Sequence, residues 1–131
     1  MLKFNSIRTS SENKLIVSEL TSKLSLGTEN VIARIALGFS LAKHGELDLL
    51  DIEDSKGKEY SSRVLLGDNK ALYIALICQK YNIYKENTEI PKYVKLHIDK
   101  GLKHIYADVK EHPNKDGIEI LMSYLNLNIW V

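Results

Sequence analysis

Apolar residues recur at helical spacing along most of the chain, and the breaks in that period divide it into elements. Ile16, Leu20 and Leu24, with Val17 beside them, make a first stripe, while Lys14, Glu19 and Lys23 fall elsewhere on the same helix. Ahead of it Thr9-Ser-Ser-Glu12 has the form of a capping box, and Gly27 is placed to end the helix in a left-handed turn. Thr28 then offers a new N-cap, so the connection is very short and the two helices pack on each other or on a neighbouring subunit. The second helix, Val31 to Ala42, is apolar nearly all round, broken only by Arg34 and Ser40. Such a helix is not half exposed in a soluble monomer, which makes burial against a second copy the economical expectation. Gly38 agrees: a glycine inside a helix costs about 1 kcal/mol relative to Ala, a cost commonly accepted where two backbones approach closely. Arg34, Ile35, Gly38 and Phe39 are therefore assigned to an oligomer interface, with Arg34 pairing to an acid or a carbonyl rather than to DNA.

Elsewhere the pattern is more varied. Phe4 to Thr9 alternates only briefly, which supports a short strand or extended arm. From Glu46 to Asp68 the chain is acidic and irregular. Leu47, Leu49, Leu50 and Ile52 suggest an extended piece, Asp54 to Gly57 a turn, and Tyr60 to Leu66 a returning strand, together a hairpin or ordered loop. A third helix, from about Asn69 to Tyr81, carries the most apolar run of the chain and is expected to be central. A fourth, opened by Pro91, places Val94, Ile98, Leu102, Ile105 and Val109 on one stripe and Lys92, Lys95, Asp99, Lys103 and Lys110 mostly away from it, the pattern of an amphipathic surface helix. The segment Ile118 to Val131, ending Ile129-Trp130-Val131, is apolar enough to require docking on its own domain or on a partner.

With 131 residues, 44% of them apolar, the chain has the size and core material of one domain, and no stretch rich in Pro, Gly or Ser marks a linker. The predicted fold is a single mainly α domain over 1–131, compact, with four to five helices. The net charge of +1 makes no general case for nucleic acid, but it is unevenly spread: residues 1–44 carry +3, 45–68 carry −4 and the remainder +2. Charges act over roughly 8 Å at physiological salt, so a near-neutral chain can still present a basic face. The lone Cys78, inside the run Ala71 to Cys78, fits a small buried thiol in a reducing compartment. The start, Met1-Leu-Lys-Phe-Asn-Ser, lacks the pattern of a signal peptide, and no eighteen-residue apolar segment occurs, so a soluble, cytoplasmic protein without membrane contact is expected.

Catalytic chemistry has no visible constellation. His97 and His104 share a helix face with Asp108 but lie about two turns apart, roughly 10 Å, too far for one ion. His44, beside Lys43, reads as a cation at a helix C-terminus. Asp48, Asp51, Glu53 and Asp54 match no calcium loop, and the scattered glycines form no phosphate cradle. No catalytic residue, metal or cofactor is expected. For nucleic acid the candidate contacts are Arg8, Lys14, Lys23 and Lys43, with Lys56, Lys58, Lys70 and Lys103 as further cations. An arm followed by two helices is similar to the ribbon-helix-helix plan, in which paired arms of a dimer contact DNA, although the arm here alternates poorly for base reading.

An ordered set of short motifs carries a wider resemblance: Ile7-Arg-Thr-Ser10, the Leu26-Gly27-Thr28 turn, Arg34 to Gly38 with Ser40-Leu41, Gly57-Lys-Glu59, Leu66-Gly67 followed by Ala71 to Ala75, and His97 with Gly101. From about Ile7 to Val109 the chain resembles the DndE family, the small component of bacterial DNA sulfur-modification (phosphorothioation) systems, with 113–131 as a C-terminal extension. The resemblance implies a homo-oligomer, a tetramer, that binds duplex DNA with a preference for nicked molecules through surface lysines. It further implies work beside sulfurtransferase-like and ATPase subunits that carry the chemistry, which makes this chain a non-catalytic accessory. A protein-interaction scaffold of the same complex and a ribbon-helix-helix-like transcription regulator are the alternatives.

Overall fold

The computed structural model describes residues 4–129, a mainly helical domain built around one long helix. In chain order the elements are β1 (Ser6–Arg8), α1 (Ser11–Lys23), α2 (Glu29–Lys43), β2 (Glu59–Ser61), α3 (Ser62–Leu66), α4 (Lys70–Tyr81), α5 (Ile90–Glu111) and α6 (Gly117–Ile129). Trp130 and Val131, the end of the apolar tail, lie outside the described residues.

The start of α1 is capped one residue later than the capping-box pattern predicts. Ser10 accepts the Asn13 amide, while the Thr9 hydroxyl donates to the Lys58 carbonyl. The end of α1 also differs. Leu24 is the C-cap, Ser25 takes the left-handed conformation at φ 55°, and the Leu26 and Ser25 amides donate to the carbonyls of Thr21 and Ser22. That is a Schellman closure with serine where glycine is usual, and Gly27, at φ 83°, makes the second reversal that leads into α2.

The predicted hairpin between the second and third helices is replaced by a longer-range pairing. β2 runs antiparallel to β1, Ile7 opposite Tyr60, so the N-terminal arm is held by its own chain. Only Glu59–Ser61 is extended. Ser61 then accepts the Val64 amide and starts α3, which turns the predicted strand into one turn of helix, and Leu49–Asp51 is a 3-10 turn rather than a strand.

The ranks of the third and fourth helices are reversed. α4 keeps the predicted limits, yet Ile77 is its one buried residue, and Leu72 and Leu76 face outward. α5 keeps its predicted apolar stripe but is the central element. Val94, Ile98, Leu102 and Ile105 are buried, and so are Lys95, His97 and Asp99. α1, α2, α4 and β1 all pack on it, α2 most extensively. The closest approach is at Gly101, where an added Cβ would sit 2.2 Å from the Ala36 carbonyl oxygen of α2. Close backbone packing inside the protomer is thus provided by Gly101, while a Cβ at Gly38 would meet nothing within 4 Å. Buried Lys95 and Asp99 satisfy each other at 2.8 Å, and Asp99 also accepts the Ser10 and Asn13 donors, which ties α5 to the start of α1.

α6 packs back on α1, α2 and α5. Asp116 accepts the Glu119 amide at its start, Gly117 packs on the Leu24 backbone, and Ile120 is buried. Tyr124 lies against the Phe39 ring and donates to Asp108. Through these residues the tail docks on its own domain.

Candidate nucleic-acid and assembly surface

The predicted interface residues are divided by the fold. Ile32, Ala33, Ala36, Leu37 and Ser40 of α2 are buried within the protomer, whereas Val31, Arg34, Ile35, Gly38 and Phe39 are only partly covered. Val31, Ile35, Gly38 and Ala42 recur at helical spacing along one outward strip. Phe39 lies at the margin of that strip, where His104 and Tyr124 cover it edge-on and at a tilt. Arg34 bonds inside its own chain. Its guanidinium donates to the Leu65 and Val64 carbonyls at 2.7 and 2.9 Å, which satisfies two of the carbonyls that a helix C-terminus leaves open, those at the end of α3.

The cations separate just as clearly. Arg8 pairs with Glu59 at 3.2 Å and also donates to the Gly57 carbonyl. Lys58 pairs with Glu29, Lys103 bridges Glu12 and Glu53, and Lys70 donates to the Phe4 carbonyl and the Ser62 hydroxyl. Lys14, Lys23, Lys43 and Lys56 are exposed and make no ion pair among the described residues. Lys14 and Lys23 stand about two and a half turns apart, on opposite flanks of α1. Lys23 shares a shallow groove with Tyr106, Lys110 and Pro113.

Around Lys43 the structure gathers cations that spacing along the chain does not connect. His44 caps α2 with its Nε2 3.4 Å from Nδ1 of His104 on α5. Lys100, one turn before His104, and Lys80, in the last turn of α4, are close enough to act on His44 electrostatically. Burial first, then His104, Lys100 and Lys80, lower its pKa below the usual histidine value. Of these relations, the adjacency of Lys43 and His44 and the i, i+4 spacing of Lys100 and His104 were open to sequence reasoning.

Beneath this cluster, buried His97 joins three elements. The Tyr81 oxygen accepts the Leu47 amide at 2.9 Å, so its own proton points at His97 Nε2, 2.6 Å away. The network thereby assigns the proton to Nδ1, which donates to Ser40 at 2.8 Å. Burial, with Lys80 and His44 adding to it, holds this imidazole at a pKa of about 4.

The acids are similarly engaged. Asp54 accepts the Ser11 amide and hydroxyl, which lowers its pKa, Glu53 holds Lys103, and Asp108 accepts Tyr124. Among the described residues no group of three or more His, Cys, Asp or Glu could hold a metal ion, and no helix is long and apolar enough to cross a membrane. Cys78 is half-buried, more open than its apolar setting predicts, and lines a groove on α4 with Ala71, Ile74, Ala75, Ile83 and Tyr84.

No curated protein matches the chain. Its fold is similar to the crystal structure of DndE from Escherichia coli B7A involved in DNA phosphorothioation modification. The TM-score is 0.62 at 17% identity, over 79% of this chain and 97% of that one. It is also similar to a glycine-to-lysine DndE mutant involved in DNA phosphorothioation, with a TM-score of 0.65 at 18% identity over 79% of this chain and 98% of that one. Residues 6–113, from β1 through the end of α5, match the family described as DNA sulphur modification protein DndE, and α6 lies beyond the match. A match over that much of the helical body places the chain in the DndE family, whose members are components of DNA phosphorothioation.

Proposed function

We propose that this chain is a non-catalytic, self-associating accessory subunit of DNA phosphorothioation that binds duplex DNA without reading its sequence, nicked duplex in preference to intact. The observation that carries the reading is the different use of its charges. The buried histidine and carboxylate of α5 are spent on structural bonds, His97 with Ser40 and Tyr81 and Asp99 with Lys95, while Lys14, Lys23 and Lys43 face solvent. Exposed, mobile cations suit phosphate contacts, which supply affinity and no sequence information. Of the four predicted contacts, Arg8 has to release Glu59 to reach a phosphate.

Self-association through the strip around Arg34, Ile35, Gly38 and Phe39 is supported by Gly38. A mid-helix glycine with open space over it has no packing reason inside the protomer. A tetramer is the assembly proposed, working beside sulfurtransferase-like and ATPase subunits that carry the chemistry. A gel-mobility titration of intact and nicked duplex over a salt series tests the DNA reading. Affinity falls steeply as salt rises and is higher for the nicked duplex. Binding that ignores salt, or equal affinity for the two duplexes, rejects the corresponding part.

The scaffold reading is favoured by a different observation: Leu72, Leu76 and Tyr84 expose apolar surface beside the α4 groove. It requires that changes on α4 release the other subunits of the system while DNA affinity is unchanged.

A further inference from the structure

We propose that Lys43, His44, Lys80 and Lys100, with His104 behind them, form the seat for the DNA phosphate backbone. The inference rests on the DNA-binding reading above and gives it a location. The elements meet at His44: its Nε2 stands 3.4 Å from Nδ1 of His104 on α5, Lys80 in the last turn of α4 and Lys100 one turn before His104 both act on it electrostatically, and Lys43 precedes it at the end of α2. The hydrogen bonds of His97 to Ser40 and Tyr81 fix the ends of α2 and α4 on α5, so the helix positions that carry these residues are held relative to one another.

Helix C-termini attract cations, and that alone accounts for Lys43 and Lys80 taken one at a time. It accounts neither for Lys100 in the middle of α5 nor for two imidazoles 3.4 Å apart in the same place. The lysine charges so arranged repel one another and oppose charging of His44, and a bound anion relieves both. The acids around the group are Asp108, 3.7 Å from His104 but held by Tyr124; Glu46, Asp48 and Glu89, which act on the neighbouring tyrosines Tyr81 and Tyr93; and Asp51 and Glu53, which line a small pocket with Lys100, Glu53 being held by Lys103. None of them forms an ion pair with Lys43, Lys80 or Lys100 among the described residues. The lysines come from three helices, Lys43 and Lys100 exposed and Lys80 partly so, which suits a row of phosphodiesters better than one small anion. Arg8 lacks such a setting because Glu59 neutralises it, and Lys14 and Lys23 because they flank α1 on opposite sides.

The cluster predicts its own pH dependence. Without DNA, burial first and then the neighbouring cations oppose protonation of His44, whereas a phosphate favours it, so binding takes up a proton and tightens as pH falls from neutrality towards 6. The test is a fluorescence-anisotropy titration of a labelled duplex with the full chain, over a salt series and at neutral and mildly acidic pH. The parent is compared with the triple variant Lys43→Ala/Lys80→Ala/Lys100→Ala, the corresponding triple Lys→Arg variant, His44→Gln, and Lys14→Ala/Lys23→Ala, all with matched melting curves. The alanine triple is expected to lose about tenfold or more in affinity and to lower the slope of log affinity against log salt by about 2–3, one unit for each phosphate contact removed. The arginine triple retains binding, His44→Gln loses the gain at acidic pH, and Lys14→Ala/Lys23→Ala loses less than the alanine triple. An alanine triple with parental affinity and slope, beside a parent that binds, overturns this location and leaves the DNA-binding reading standing. A parent that does not bind at any salt overturns both.

Discussion

α4 and α5 exchange the roles that their compositions suggest. α4 contains the longest apolar run of the chain and buries one residue fully, Ile77. α5 has a lysine or an acid at nearly every turn, and it buries ten residues, two of them charged. Helix periodicity identifies which side of a helix is apolar, but the number of neighbours decides how much of the helix is covered. α5 is touched by α1, α2, α4 and β1, so even the flanks of its apolar stripe lie inside, and the polar groups there have to find partners within the protein. α4 rests on one side only, against α3 and α5, and its outer apolar positions face away from the domain.

The largest effects are expected where α5 carries charge inside. Asp99→Ala leaves the Lys95 ammonium, the Ser10 amide and the Asn13 side chain without their common acceptor in a site where both charged side chains are almost fully covered. Removing one member of a buried pair costs about 3–5 kcal/mol, which urea denaturation would register as a marked fall in midpoint at constant slope. Leu102→Ala, at the fully buried centre of the stripe, is expected to cost about 2–5 kcal/mol by the same measurement.

Much of this contrast was legible in part. The stripe Val94, Ile98, Leu102, Ile105 and Val109 is readable from spacing alone, and so are the limits of α4; the apolar composition of the tail called for docking but left its own domain and a partner equally open. Burial of Lys95 and Asp99 was not, because an i, i+4 pair on a helix flank looks the same in sequence whether solvent or another helix covers it. The β1–β2 pairing escaped for a related reason. Three-residue strands more than fifty positions apart leave no local period, and Tyr60 to Leu66 mixes strand and helix signals until Ser61 caps α3. At the candidate site, Lys43 was identified singly. Its companions Lys80 and Lys100 come from other helices, and only the packing around His97 brings them together.

His97 is where the two helices of the comparison meet, and pH tests that contact. Its pKa is about 4 in the folded chain against about 6.5 for a free histidine, so between those values the unfolded chain binds more protons than the folded one. The contribution of the neutral imidazole is therefore complete above about pH 6.5 and is lost as pH falls towards 4. His44, lowered in the same direction, adds a slope of the same sign. His97→Gln is expected to melt lower than the parent at neutral pH but to lose less of its melting temperature on acidification, a difference that thermal melts at neutral and mildly acidic pH would read.

The smallest effect belongs to the outer face of α4. Leu72 is 57% exposed, so its truncation to Ala removes little covered surface and leaves no cavity, in contrast to the same substitution at Leu102. Leu72→Ala is expected to shift stability by no more than about 0.5 kcal/mol in urea denaturation, and the better helix propensity of Ala offsets part of even that. Because Leu102 and Leu72 share a side chain and a helical backbone, the gap between the two values isolates what the neighbouring helices contribute. A Leu72→Ala cost as large as that of Leu102→Ala would mean that something outside this protomer covers α4, and repeating the denaturation over a range of protein concentration would reveal it as a midpoint that moves with dilution.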